Sequence, residues 1–389
     1  MSGGSSPHET RLLLLLAHGS MSADARDEAR IILGREIGWS RILRQATAND
    51  LVPLVTRNLR QLGFPGVPTP VRAELETSYR RNAIRNVLMR GELIRVLKAL
   101  GQVGVRAVPL KGLALAESLY GDMSLRTCSD LDVLVPRRAV GQVFEMLRTE
   151  GYDQADRCRI DPSDVEFLLR SSMEYAFTPR PPAFRSILEI HWDIAWRWRG
   201  DAAMLDDLWA EARPQVFWGV EAWTLSPEWE LLYLAVHAAR HHWQGLKWLV
   251  DIHEVCTRAK FDWDTVTDKA HRFGVERALG LTLSAAQALF GTALPPAYSE
   301  RPVPSWLPLF PTSLPQMGEW RQALLVRRMF RRPQDRLCYL ARIALRPTLG
   351  DLEFVRLPLG LRMLYYPLRL VRLAIASTGA VSRLATSQK

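Results

Sequence analysis

The chain has 389 residues, 48% hydrophobic and 24% charged, which excludes a disordered chain and leaves room for two or three folded domains. Its formal charge is +10, almost all arginine with only six lysines, which suits an anionic partner (a nucleotide, a nucleic acid or a membrane surface), although an arginine-rich composition alone gives the same excess. Four cysteines (Cys128, Cys158, Cys256 and Cys338) lack metal or redox spacing, and no 18-residue uncharged apolar run exists, so reduced thiols, a cytoplasmic location and no membrane span are expected.

Residues 12–17 are apolar but too short for a signal-peptide core, and they predict a first buried helix. Apolar residues at three- and four-residue steps predict helices over 23–37, 41–62 and 71–100, with a Pro/Gly loop at 64–70. The pattern changes at Val105. Residues 105–110, 130–135 and 186–194 read as strands, and 113–120 and 139–150 as helices between them. Strands alternating with helices predict a small mixed sheet. From Pro227 the helical period returns, over 228–242, 246–259 and 263–273 and on to Leu289. Residues 295–319 are Pro-rich and read as a linker, and 320–389 as a basic helical tail. The expected organisation is a helical region (1–104), an α+β core (105–225), a helical domain (226–294), the linker and the tail.

The chemistry concentrates in the α+β core. Asp130 and Asp132 are two apart on a strand, which places both carboxylates on one face. Carboxylates that close repel, and a divalent cation relieves the repulsion; oxygen ligands suit Mg²⁺, with Mn²⁺ as the alternative. Upstream, Pro109-Leu-Lys-Gly-Leu113 runs from a strand into a helix. A helix start there offers free N–H groups to a phosphate, and Lys111 adds a charge. Glu189, on a later strand, can supply a third carboxylate. Such a constellation suits metal-assisted phosphoryl or nucleotidyl transfer.

Leu110-Lys-Gly-Leu-Ala-Leu-Ala116, Leu119-Tyr-Gly-Asp122, Leu125-Arg126 and Ser129-Asp-Leu-Asp-Val-Leu-Val135 resemble the uncharacterised nucleotidyltransferase family of bacteria. So do Leu188-Glu-Ile-His-Trp192, His237-Ala-Ala-Arg-His-His-Trp243 and Leu246-Lys-Trp-Leu-Val-Asp-Ile252. The resemblance implies a polymerase-beta-like nucleotidyltransferase fold with flanking helices. It implies Mg²⁺-dependent transfer of a nucleoside monophosphate, AMP foremost, from a nucleoside triphosphate such as ATP. Asp130 and Asp132 would hold metal, with Glu189 as third carboxylate orienting or deprotonating the acceptor. Lys111 and Gly112 would face the triphosphate, and Arg126 and Ser129 would line the pocket. The chain departs from the superfamily in having Gly112-Leu113 where Gly-Ser or Gly-Gly is usual.

Several residues carry two readings. His191 shares the face of Glu189 and either touches the nucleotide or orients that carboxylate. His237 and His241 lie one helical turn apart without the intervening Glu of a zinc motif. His241, Lys247 and Asp251 read equally as a wall over the nucleotide or as hydrogen-bonded core residues. Trp192, Trp196 and Trp198 read as packing. The tail's arginines, among them Arg327, Arg328, Arg331 and Arg332, fit a helical cap or peripheral attachment to an anionic membrane. The acceptor, a hydroxyl or a phosphate, stays open between a small molecule, a sugar, a peptide and a protein. A toxin-like enzyme acting on RNA and an inactive binding module are the rivals; nucleic acid is the less favoured partner.

Overall fold

The computed structural model describes residues 6–155, 159–181, 184, 186–194, 203–299, 302–304, 327 and 333–386. Cys158, Pro182, Trp196, Trp198, Arg328, Arg331, Arg332 and most of the Pro-rich stretch lie outside the described residues.

Four short helices open the chain: α1 (Pro7–Leu16), α2 (Ala23–Leu33), α3 (Trp39–Ala48) and α4 (Val52–Leu62). The single helix expected over 41–62 is therefore two. Asp50 has φ 57°, a left-handed conformation that an α-helix does not admit, and it breaks the run. The leucines of α1 are buried, as the sequence predicts. Helix α5 (Thr69–Gln102) has 34 residues, a length of about 50 Å at the usual rise. It joins two cores: Leu75 packs in the first, and Met89, Leu93, Val96 and Leu100 in the second.

The second core belongs to a five-stranded mixed sheet: β1 (Val108–Leu110), β2 (Asp130–Leu134), β3 (Tyr152–Gln154), β4 (Glu174–Pro179) and β5 (Ile187–His191). The spatial order is β1-β2-β5-β4-β3, with β2 and β5 parallel and every other pair antiparallel. Helices α6 (Gly112–Tyr120), α7 (Val140–Thr149) and α8 (Val165–Ser171) complete this α+β unit. The sequence reading found β1, β2 and β5 and missed β3 and β4. β3 has three residues, too few to show a period, whereas β4 does alternate, burying Tyr175, Phe177 and Pro179. After α9 (Ala203–Glu211), a hairpin of β6 (Arg213–Phe217) and β7 (Val220–Thr224) turns at Trp218 and Gly219, both at positive φ, and ties back to the core where Trp223 N donates to Ala107 O.

The first core is helical. Helices α10 (Pro227–Arg240), α11 (Leu246–Arg258), α12 (Trp263–Phe273) and α13 (Glu276–Phe290) bury Trp229, Leu249 and Leu283 in the same cluster as Leu12, Leu16 and Leu59. The two helical regions expected to be separate share one core. Polar contacts lock them: Gly19 N donates to Glu254 Oε1 and Leu246 N to Asn49 Oδ1. The Pro-rich stretch begins with a helical turn, α14 (Pro296–Ser299), whose Tyr298 is buried and hydrogen-bonded to Thr267. The tail forms α15 (Pro333–Leu345), α16 (Leu349–Phe354) and α17 (Tyr365–Thr386), with Leu352 and Tyr365 packed in the sheet's core.

Candidate active site

Strand β1 ends at Leu110 and the chain turns at once into α6. Lys111 has φ 37° and Gly112 φ 53°. Glycine takes such angles freely, but a lysine does so only against steric resistance, so the backbone at Lys111 is strained. The turn carries the ammonium back over β2: Lys111 Nζ lies 3.1 Å from Asp132 Oδ2 and 4.0 Å from Asp130 Oδ2.

Asp132 sits opposite Glu189 in the parallel β2–β5 register. His191, two residues on, shares the Glu189 face. Its Nε2 is 2.9 Å from Asp132 Oδ1 and 3.6 Å from Glu189 Oε2, and its Nδ1 is 3.1 Å from Glu174 Oε2. Glu174 faces His191 across β4 and receives Arg240 Nη1 from α10 at 2.8 Å. Charge thus alternates through Lys111, Asp132, His191, Glu174 and Arg240, from the turn before α6 into the helical core.

Burial alone would raise the Asp132 pKa, but Lys111 and His191 outweigh it and hold the carboxyl well below the usual range. Burial alone would lower that of His191; hydrogen bonds to Asp132 and Glu189 and the charge of Glu174 reverse this and push it up to about 9. The hydrogen bond from His191 lowers the pKa of Glu189, but burial and the charges of Asp132 and Glu174 leave it raised. Glu174 ends lowered, since His191 and Arg240 overcome its burial.

Asp132, Glu189 and His191 each offer a ligand atom, and these atoms lie within 4.8 Å of one another. Asp132 Oδ2 and His191 Nδ1 are buried without an aligned hydrogen bond, although ionic partners stand near. Two carboxylates, with Asp132 Oδ2 orphaned, and an imidazole that has lost its proton fit a divalent cation; the nitrogen donor would admit Mn²⁺ at least as well as Mg²⁺. The sequence expected Asp130, Asp132 and Glu189 to converge. The structure instead groups His191 with Asp132 and Glu189, while half-buried Asp130 approaches Lys111 and accepts from Ser129 Oγ at 3.1 Å.

The other expected nucleotide contacts separate into two places. Ser129 is exposed beside Asp130, and Arg85 of α5 donates to its carbonyl. Arg126 and Asp251 are buried against each other: Arg126 Nε and Nη2 donate to Asp251 Oδ2 at 3.1 and 2.9 Å. That pair ties the loop before β2 to α11. Lys247 is held by Asp50 at 2.6 Å. His241 packs its ring 4.6 Å from His237 and 4.8 Å from Trp248. Burial, followed by the charges of Arg240 and Lys111, pushes the His241 pKa down to about 3, so it stands neutral beside a cationic site.

Glu174, Arg240 and Tyr233 were not anticipated. With His191, His237, Met173, Ile194 and Val236, Tyr233 and Arg240 line a small cavity behind the cluster, and the Tyr233 hydroxyl is buried there without a hydrogen-bond partner. The sequence signal for Glu174 was weak but present: a carboxylate opening an alternating strand, Glu174-Tyr-Ala-Phe-Thr178.

A lysine-bearing turn thus stands over an Asp–Glu pair on parallel strands. Residues 35–291 match the sequence model of the uncharacterised nucleotidyltransferase family. The chain belongs to that family. A comparison with curated proteins finds no significant match. Among solved structures, this nucleotidyltransferase is similar to an antigenic nucleotidyltransferase-like protein from Paracoccidioides brasiliensis, at 14% identity and a TM-score of 0.34, over 55% of this chain and 97% of that one. So loose a likeness carries nothing about substrate.

Proposed function

We propose that the protein transfers a nucleoside monophosphate, AMP foremost, from a nucleoside triphosphate to an acceptor hydroxyl, with a divalent cation at Asp132. The observation that carries this reading is Asp132 itself: a buried carboxylate kept ionised by Lys111 and His191, facing Glu189 across parallel strands. Asp132 and Glu189 would hold the cation, joined by His191 where binding displaces its proton, with Asp130 at the mouth. When bound, the cation would neutralise charge on the phosphates and favour in-line displacement of pyrophosphate.

The chain's own groups supply the rest. The N–H groups opening α6 after Lys111-Gly112 would form the phosphate cradle. Lys111 neutralises Asp132. The acceptor oxygen attacks the α-phosphorus, the bond to pyrophosphate breaks, and Glu189 takes the acceptor's proton. His191, held by Glu174 and Arg240, fixes Asp132.

The test is incubation with each α-labelled nucleoside triphosphate, Mg²⁺ or Mn²⁺ and a cell extract, followed by identification of the labelled product. Asp132→Asn should cut labelling by about a hundredfold or more. Undiminished labelling by a folded Asp132→Asn variant would remove the assignment.

A further inference from the structure

Helix α5 is clamped on one face and open on the other. Asn82 and Asn86 donate to the carbonyls of Ser124, Met123 and Arg126, which fixes the inward face to the loop before β2. On the outward face, side chains three and four residues apart stand side by side. Arg80, Arg81, Ile84, Arg85, Val87 and Leu88 occupy it, and all six are exposed. Ile84 is 63%, Val87 50% and Leu88 46% exposed, an aliphatic patch near the middle of the helix. Gly91 continues the face, and a Cβ there would meet nothing within 4 Å. A glycine inside a helix is destabilising relative to alanine; here it leaves room for another chain to approach closely.

The charges on this face have one sign. Arg80 and Arg81 form no salt bridge or hydrogen bond among the described residues. Glu76, one turn from Arg80, is already held by Arg60 at 2.7 Å. The exposed carboxylate of α5 is Glu74, about two turns before Arg81. Arg85 reaches the candidate active site: its Nη2 donates to Ser129 O at 3.2 Å, and Ser129 Oγ donates to Asp130 Oδ1 at 3.1 Å. The face therefore leads to the mouth of the Asp132 cluster.

Resting on the transfer reading above, we propose that the acceptor is a protein, which docks an acidic, aliphatic segment along residues 80–91 of α5. Carboxylates of the segment meet Arg80 and Arg81, and its aliphatic side chains cover Ile84, Val87 and Leu88. A Ser, Thr or Tyr hydroxyl beyond the segment then reaches the cluster. That oxygen bonds to the α-phosphorus, pyrophosphate leaves, and the proton passes to Glu189. Charge and apolar surface together select this occupant, since unpaired arginines attract anions and an aliphatic patch gains from aliphatic cover. RNA would use the arginines and leave the aliphatic patch open, because its bases stack on aromatic rings and this face carries none. A second copy of the chain would set arginine against arginine.

The docking is tested on the full-length protein by fluorescence anisotropy. The probes are a labelled peptide of Glu and Leu at helical spacing, the same peptide with Lys for Glu, the same with Ser for Leu, and a single-stranded oligoribonucleotide. The Glu–Leu peptide should bind about tenfold or more tighter than the other three, and less tightly as salt is added. Arg81→Glu with Leu88→Gln should weaken it about tenfold or more. The unfolding midpoint should stay unchanged, because both side chains are exposed. Equal binding of all four probes, tighter binding of the Lys peptide or the oligoribonucleotide, no binding, or a dimer that the double substitution splits overturns the docking surface. With an α-labelled nucleoside triphosphate and cell extract, label should run with protein and resist nuclease, and the double variant should lose most of it. Label on RNA or on a small molecule overturns the protein acceptor and leaves the transfer reading standing. No label from the wild type removes the transfer reading and the acceptor with it, whereas the peptide titration decides the docking surface by itself.

Discussion

Lys111 is the most informative single residue. The sequence placed it toward a triphosphate; the structure places its ammonium on Asp132 and within reach of Asp130. Burial would lower its pKa, and the charges of Asp132, Asp130 and Glu189 raise it instead. A cation is thus built into the carboxylate cluster. Lys111→Met should leave the carboxylates facing one another and destabilise the cation-free protein by about 3–5 kcal/mol. Mg²⁺ or Mn²⁺ should then raise the melting temperature of the variant more than that of the wild type, because the ion replaces the missing charge. Equal shifts in the two proteins would show that Lys111 does not neutralise the metal-binding carboxylates. At this scale the sequence revealed Asp130, Asp132, Glu189 and Lys111, because strand period and a strand–Gly–helix turn are local features. It did not reveal that His191 bonds Asp132, since that contact depends on the register between strands some 60 residues apart.

The elements add a second electrostatic layer, in which Glu174 and Arg240 support His191 from β4 and α10. Glu174→Gln should lower the rate of transfer by about tenfold or more with little change in nucleotide affinity, because it loosens the imidazole that positions Asp132 and touches no substrate. A changed affinity with an unchanged rate would place Glu174 in the binding surface instead. Helices α10 and α11 carry the opposite titration. Burial pushes His241 down to about 3 and His253 down to about 4, and keeps His237 well below its ordinary 6.5. A depressed folded pKa gives stability that is present above 6.5 and lost as pH falls. His191, raised to about 9, gives stability that is present below 6.5 and lost as pH rises through 9 in the cation-free protein. Stability should therefore peak near neutrality. It should fall by about 3 kcal/mol between pH 6.5 and 5, a figure discounted because His241 and His253 are partly exposed. Urea unfolding across this range checks it: His241→Gln with His253→Gln should flatten the acid limb and spare the alkaline one. An unchanged acid limb in the double variant would sink the account. The helices themselves were legible from their apolar period; the break at Asp50 was not, because a left-handed residue leaves no mark on periodicity.

For the whole molecule, the question is how the α+β unit and the helical body are held in register. The sequence suggested a chain of successive regions, yet α1–α4 and α10–α13 share one core, and α5 runs from that core into the sheet's. Segments some two hundred residues apart cannot announce a common core through local pattern. The Arg126–Asp251 pair crosses between the two bodies in full burial, with Tyr120 O–H reaching Asp251 Oδ1 at 3.4 Å. Burial alone would lower the Arg126 pKa, and Asp251 outweighs it, so the pair is a fixed charge couple. The family resemblance implies a pocket-lining role for Arg126, and the sequence leaves Asp251 equally a nucleotide wall or a core residue; the two roles make different forecasts. As a structural tie, Asp251→Leu alone strands a buried guanidinium and should cost about 3–5 kcal/mol, whereas Arg126→Met with Asp251→Leu removes both charges and should recover most of that loss. The double variant should keep the wild-type KM for the nucleoside triphosphate. As nucleotide contacts, the two residues would instead raise KM in the double variant however well it folds. Denaturant unfolding and steady-state kinetics on the same three proteins separate the two outcomes, since only the tie predicts recovered stability with KM unmoved.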